Sequence, residues 1–152
     1  MFLSSVDMGD LLAALAISFA KAAFAIMLIF IAISILMIIA NWKLFTKAGE
    51  EGWKYLIPIY NTYTMIKIAF SGTKNYLIVA TILPLFTGFL GDSWIVSLIA
   101  LATVIINIYI SFNFMKRYTD TGMAVLSLFF PIIVYPIVAF SDKYQYTEYT
   151  TY

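Results

Sequence analysis

Apolar residues dominate four stretches of the chain, each bounded by polar or turn-forming residues. About 20 apolar residues in a helix cross a bilayer. The pattern therefore predicts four membrane spans, at about residues 22–41, 75–90, 94–115 and 122–140. It assigns residues 1–141 to one transmembrane domain and leaves residues 142–152 as a Tyr-rich tail. The predicted fold class is all-α, an integral membrane four-helix bundle.

The region before the first span is helical in pattern and ends at a charged residue. Apolar residues recur at helical spacing over 7–20. This helix either lies at the interface or continues the span outward. Lys21 is the only ionisable side chain within an apolar stretch, and in mid-membrane it would cost at least about 2.5–3.5 kcal/mol. Because residues 22–40 cross without it, we expect Lys21 to reach the outer interface rather than to act in mid-membrane.

The fourth span contains two prolines, Pro131 and Pro136. Each proline removes a backbone donor and displaces the carbonyl one turn earlier. In a membrane, neighbouring helices or hydroxyl groups must satisfy the freed group. The pattern predicts a kinked fourth helix packed inside the bundle.

Lysine and arginine counts in the loops predict the orientation. The loop over 41–75 holds five lysines, and the third loop holds Lys116 and Arg117. The second loop and the segment before Lys21 hold none, and the tail holds only Lys143. We expect the first and third loops to be cytoplasmic. Both termini, including the tail, would then lie outside the cell membrane.

The first loop is rich in aromatic and basic residues, which are typical of a membrane interface. Gly49 suits a helix C-terminus, and Pro58 suits the first turn of a helix. From Pro58 onward, Ile59, Tyr63, Ile66 and Phe70 fall on one helical face. The pattern favours an amphipathic interfacial segment at about 50–70 that anchors the bundle. The alternative is that the loop docks a partner or plugs a cavity.

Polar residues inside the third span form one stripe. Thr103, Asn107 and Ser111 are spaced four apart and share a helical face. Such residues usually hydrogen-bond a neighbouring helix. We expect this role, with Asn107 bonded to another helix or to a water. The alternative is a polar pathway through the membrane.

The composition narrows the chemistry. Hydrophobic residues make up 63% of the chain and charged residues 11%, against about 25% charged in ordinary soluble domains. The sequence contains no Cys and no His, which rules out disulfides, Cys/His metal sites and Ser-His or Cys-His catalysis. A net charge of +1 gives no basis for nucleic-acid binding. The residues predict no cofactor.

The tail alternates tyrosines with polar residues, a pattern of extended strands. It is too short to form a sheet by itself. It could lie on the membrane surface, pair with another chain or be disordered.

The first loop also carries a motif that resembles a known family. The motif residues are Trp42, Lys43, Phe45, Lys47, Ala48, Gly49, Gly52, Trp53, Leu56, Ile57, Pro58, Ile59, Tyr60 and Asn61. They resemble the signature of a family of small uncharacterised bacterial membrane proteins. A similar segment occurs in the N-terminal membrane region of some type I signal peptidases. A run near the C-terminus, Gly122 and then Pro131-Ile132-Ile133-x-Tyr135-Pro136-Ile137, resembles the family's last helix. The resemblance implies a helical membrane domain. We do not expect it to imply peptidase activity, because in this sequence only residues 141–152 follow Phe140.

These observations predict a non-enzymatic accessory or structural subunit. It would act through contacts with other membrane proteins or with copies of itself, in the lipid bilayer. The candidate contact residues are those of the loop motif: Trp42, Lys43, Phe45, Lys47, Gly49, Gly52, Trp53, Pro58, Tyr60 and Asn61. The alternative is a small channel or transporter that uses Thr103, Asn107, Ser111 and Lys21.

Overall fold

A computed structural model of the protein describes residues 7–71, 75–82 and 94–148. Within these ranges the regular structure is helical and no strand occurs, so the all-α prediction is confirmed. The elements are α1 (Met8–Lys47), a short 3-10 helix (Gly52–Leu56), α2 (Pro58–Phe70), α3 (Asn75–Ile82), α4 (Trp94–Lys116), α5 (Thr121–Phe129) and α6 (Pro131–Phe140).

The chain divides into two units, Met1–Leu36 and Met37–Tyr152. In the first unit, the described residues form the beginning of α1, which is one continuous helix from Met8. Met8 and the residues up to position 20 belong to the same helix as residues 22–41, the first predicted span. The most apolar 18-residue stretch of α1 has no buried residue. Lipid is the solvent in which such a helix exposes apolar side chains without penalty.

Two of the described helices, α1 and α4, are long and apolar enough to cross a membrane. At 1.5 Å per residue, the 23 residues of α4 extend about 34 Å, against a hydrocarbon thickness of about 30 Å. The third predicted span, 94–115, is confirmed as a helix with almost the same bounds. Of the second, 75–90, α3 accounts for Asn75–Ile82, and the remainder lies outside the described residues.

The core of the second unit lies where several helices end. Its fully buried side chains include Leu44 and Phe45 of α1, Phe114 and Met115 of α4, and Val138 of α6. Phe45 and Phe114 meet edge to face with ring centroids 6.1 Å apart, and Phe114 stacks on Tyr135 at 6.4 Å. A smaller cluster joins Ile66 of α2, Leu77 of α3 and Ile110 of α4. The C-terminal parts of α1, α4 and α6 are thereby packed around shared aromatic rings.

The predicted apolar face of α2 is only partly buried. Ile66 is fully buried, but Ile59 and Tyr63 are exposed. The buried side of α2 carries Thr64, Ile66, Ile68 and Ala69. The helix does begin at Pro58, and Gly49 has a φ of +78°, so both predicted local signals are confirmed.

The segment over 122–140 differs from the predicted single span. It forms two short helices, α5 and α6, with a break at Phe130 (φ −128°, ψ 56°). The ring of Pro131 disfavours the helical conformation for the residue before it, and Pro131 then begins α6. Nine and ten residues of helix extend about 14 and 15 Å, so each helix is half the length of a span.

Candidate functional site

One end of the second unit, here called the basic end, contains Lys47 and Arg117. Lys47 makes three hydrogen bonds there. Its Nζ donates to the backbone carbonyls of Val138, Ser141 and Tyr144 at 2.8–2.9 Å. Carbonyls at a helix C-terminus lack partners within the helix and attract cations. Lys47 therefore caps α6 and holds the start of the tail. Burial, together with the nearby charge of Lys43, lowers the pKa of Lys47, while Asp142 acts in the opposite direction.

Arg117 performs a similar task for α2. It is buried, and its Nε donates to the carbonyl of Ala69 at 2.8 Å while its Nη2 donates to Ser71 Oγ at 2.9 Å. Its own carbonyl accepts the backbone N–H of Thr147 at 2.8 Å. Next to it, the Tyr118 hydroxyl donates to the Leu44 carbonyl at 2.7 Å. Arg117 and Tyr118 thus connect the end of α4 to α1, α2 and the tail.

Glu50 forms the acidic centre of this end. Its carboxylate accepts from Lys54 Nζ at 2.8 Å and from Lys67 Nζ at 2.5 Å, and its side chain is only 11% exposed. Burial opposes ionisation of Glu50, but the two lysine hydrogen bonds together outweigh it and lower its pKa. Glu50 and Lys67 line a cavity of about 270 Å³, with Ser71 and Glu148 among its other residues.

Many residues of the loop motif have structural roles at the basic end. Phe45 is fully buried, Lys47 caps α6, and Gly49 has the left-handed conformation that favours glycine. Gly52 lies against the indole of Trp42, where an added Cβ would come within 2.2 Å of the ring. Asn61 has a buried side-chain oxygen with no partner among the described residues. These positions explain part of the motif as a requirement of folding.

The rest of the motif lies on the surface. Trp42, Lys43, Trp53, Pro58 and Tyr60 are exposed. Lys43 lies over the Phe140 ring at 4.9 Å from its centroid. An exposed group, here called the aromatic surface, surrounds Trp53 and Tyr60, whose rings meet at 5.6 Å. It consists of Trp53, Leu56, Ile57, Ile59, Tyr60 and Tyr63.

The tail lies beside the two basic loops. Its described residues reach Lys47 through Tyr144, Tyr118 through Tyr146 (ring centroids 5.8 Å apart) and Arg117 through Thr147. The expectation that the tail lies on the opposite side from these loops conflicts with this geometry. The physical reason is that α5 and α6 run out and back, so the chain returns to the end where α5 began.

The polar stripe of α4 borders an open cleft. The cleft holds about 510 Å³ and is lined by α4 and by the break between α5 and α6. Its lining residues are Thr103, Val104, Asn107, Ile108, Ser111, Ser127, Leu128, Phe129, Pro131 and Tyr135. The side chains of Ser111 and Tyr135 lie close together. Thr103 Oγ1 donates to the Ile99 carbonyl of its own helix at 2.8 Å, and the Ala80 carbonyl of α3 lies 3.4 Å from it. Both ends of the stripe therefore lie beside other helices.

For Asn107, the contact that the described residues show is within its own helix. Its Nδ2 donates to the Thr103 carbonyl in its own helix at 2.9 Å, and its side chain is exposed at the cleft. Phe129 and Pro131, which line the cleft with it, offer no side-chain donor or acceptor. Lys21 lies in the first unit and is exposed.

Sequence reasoning missed the structural roles of Glu50, Arg117 and Tyr118. In the sequence, Glu50 lies next to Glu51 and between lysines, a pattern that is typical of a solvent-exposed charged segment. Arg117 was used only for its charge in the orientation count. The available signal was its position directly after an apolar helix and before Tyr118, where a cation can reach a neighbouring helix end. Within the described residues, no group of Asp or Glu is arranged to hold a metal ion.

The described structure is that of an all-helical protein with two candidate membrane spans. Residues 53–149 match a family of unknown function, DUF5684. Because the match covers more than half of the chain, the protein belongs to this family. The matched range includes the last part of the loop motif and the whole α5–α6 segment. Comparisons with curated proteins and with solved structures found no match. The similarity to signal peptidases stays a prediction.

Proposed function

We propose that this protein is a non-enzymatic integral membrane protein that acts as an accessory or structural subunit through contacts with other membrane proteins. The observation that carries the proposal is the aromatic surface. It combines exposed aromatic and aliphatic side chains on a short 3-10 helix and α2. Aromatic residues are enriched at protein interfaces and among the residues that contribute most to binding.

The charged groups next to this surface support a structural role. Lys47 and Arg117 donate to backbone carbonyls, and Glu50 is paired with two lysines. These bonds hold the C-terminal ends of α2 and α6 in place and fix the platform on which the aromatic surface lies. A fixed surface loses less conformational entropy when a partner binds.

In the proposed membrane arrangement, α4 crosses the bilayer while α5 and α6 enter it from the basic end and return. Half-length helices that turn inside a bilayer are tolerated where protein packs around them. Ala124 of α5 and Val138 of α6 are fully buried in the core, which provides this packing. The lysine counts then assign the basic loops and the tail to the cytoplasmic side.

The experiment is purification from membranes in mild detergent, with the complex identified by mass and stoichiometry. A double variant, Trp53→Ser with Tyr60→Ser, removes two members of the aromatic surface. The matched control, Trp94→Ser with Tyr76→Ser, removes an exposed Trp and an exposed Tyr elsewhere. The proposal expects a stoichiometric assembly that the first variant loses and the control retains. A protein that elutes as a monomer, or an assembly insensitive to the first variant, would contradict it.

A second candidate function is a small channel or transporter. The cleft favours it, because Asn107 and Ser111 line open space near the middle of α4. Wild-type protein in sealed vesicles would then pass a specific ion, and Asn107→Leu would abolish the flux. Vesicles that stay ion-tight with both proteins would remove this candidate.

A further inference from the structure

We infer that the cleft between α4 and the α5–α6 hairpin binds one molecule of an uncharged membrane lipid, with its carbonyl or hydroxyl group hydrogen-bonded to Asn107. This inference rests on the proposed membrane arrangement. It concerns a ligand site that is separate from the aromatic surface.

The depth of Asn107 in the proposed membrane arrangement indicates the class of ligand. Asn107 lies nine residues before Lys116, which is about 14 Å along a helix and about half of a 30 Å hydrocarbon core. Ionic lipid headgroups stay in water, so they do not reach this depth. A hydrogen-bonding group that meets Asn107 in the bilayer centre belongs to a lipid without an ionic headgroup, such as a diacylglycerol or a long-chain alcohol.

The lining of the cleft agrees with such a ligand. Its volume of about 510 Å³ lies within the range of about 300–1,000 Å³ that is usual for small-molecule sites. The lining is mostly apolar, and its polar members are hydroxyl and amide groups without charge. Ser127 is buried and donates to the Ala124 carbonyl, Thr103 donates to the Ile99 carbonyl, and Ser111 lies beside the Tyr135 side chain. Asn107 is the exposed amide at the cleft, and its Oδ1 and second N–H have no partner among the described residues, so the first can accept and the second can donate.

The hairpin explains why a space remains there. The tip at Phe129 and Pro131 lies beside the middle of α4, because both lie on the cleft together with Asn107. The break at Phe130 separates α5 from α6 beside this part of α4. An apolar chain fills this space, and a polar group on that chain satisfies the amide.

The test uses photoreactive lipids with protein in phosphatidylcholine vesicles. The two uncharged probes are a diacylglycerol and an 18-carbon alcohol, each with a diazirine in its chain. Phosphatidylcholine with the same diazirine chain reports contact with bulk lipid. The inference expects saturable labelling within residues 103–111 or 127–135 by at least one uncharged probe, competed by its unlabelled form, while phosphatidylcholine labels without saturation.

Two pairs of variants assign the site. Asn107→Leu should weaken binding about fivefold, the value of one hydrogen bond. Asn113→Leu is its control, because Asn113 makes the same bond to its own helix, to Tyr109, and does not line the cleft. Val104→Phe should block the cleft, whereas Ile105→Phe, equally exposed but outside the lining, should not.

Three results would overturn the inference: no saturable labelling by either uncharged probe, equal labelling by all three lipids, or wild-type binding by Asn107→Leu. Crosslinks between copies at residues 103–111 without lipid labelling would assign the cleft to a second copy instead. Resistance to alkaline carbonate extraction separates the two proposals. Protein released by carbonate defeats the membrane arrangement itself, whereas protein that resists extraction but shows no saturable labelling defeats only the lipid site.

Discussion

Single cationic residues organise the ends of the helices in the second unit. Lys47 and Arg117 each reach backbone carbonyls on other helices, 91 and 48 residues away along the chain. A long cationic side chain can bury its stem and still satisfy carbonyls that have no partner within their own helix. These two residues therefore act as tertiary helix caps.

Lys47 provides the clearest stability prediction. Lys47→Met keeps the length of the side chain but leaves three carbonyls without their donor. We expect a loss of about 1.5–3 kcal/mol in the free energy of unfolding, the range for hydrogen bonds to charged groups. Denaturation in mixed micelles measures it. Lys143→Met, on the exposed tail, should change stability by less than about 0.5 kcal/mol; equal effects would show that Lys47 is not a cap.

Gly52 tests the close contact with Trp42. Gly52→Ala places a methyl group within 2.2 Å of the indole, and we expect it to cost about 1–3 kcal/mol of stability. In a Trp42→Ala background the same change should cost much less, because the clashing ring is gone. Gly9→Ala is the control, since its Cβ would meet only the Asp7 carboxylate at 3.7 Å. Additive effects at positions 42 and 52 would contradict the contact.

Glu50 predicts a pH dependence. Its pKa in the folded protein is lowered from the ordinary value of 4.5, so its contribution to stability is present above that value. The contribution is lost as the pH falls through the folded pKa. Glu50→Gln should flatten the decline in melting temperature on the acid side, whereas Glu51→Gln, on the exposed neighbour, should leave it unchanged. An acid profile that is the same in all three proteins would contradict the prediction.

At the scale of elements, apolar length and turn residues predicted α4 and the start of α2 closely. The same signals failed over 122–140, because a single span and a hairpin of two half-length helices have the same apolar composition. The distinguishing feature is the position of Pro131, which ends α5 at Phe130 and begins α6. Which face of α2 is buried also depended on tertiary contacts with Leu77 and Ile110 that periodicity does not contain.

The polar side chains of the helices predict unequal effects on stability. Asn107 bonds only to its own helix among the described residues, so Asn107→Leu should change the free energy of unfolding by less than about 0.5 kcal/mol. Tyr118→Phe removes a buried bond between α1 and the end of α4 and should cost about 1 kcal/mol. Denaturation of both variants under the same conditions makes the comparison. A larger loss for Asn107→Leu would restore its role in packing between helices.

At the scale of the whole molecule, the membrane setting was predictable, since a chain with 63% hydrophobic residues and two long apolar helices suits lipid. The candidate site was predictable only in part. The sequence identified Thr103, Asn107 and Ser111 as one stripe, but the cleft beside them depends on the return of α6. The side proposed for the tail differs from the one that the charge counts predict, because those counts treat each apolar stretch as a full crossing.

We propose that α5 and α6 form a hairpin which returns the tail to the side of the basic loops. The chain contains no cysteine, so single cysteines at Glu51 and Glu148, both exposed, can be labelled without other changes. In intact cells, an impermeant maleimide should label neither position, and permeabilisation should expose both. Labelling of Glu148→Cys but not Glu51→Cys in intact cells would contradict the account, because it would require residues 122–140 to cross the membrane once.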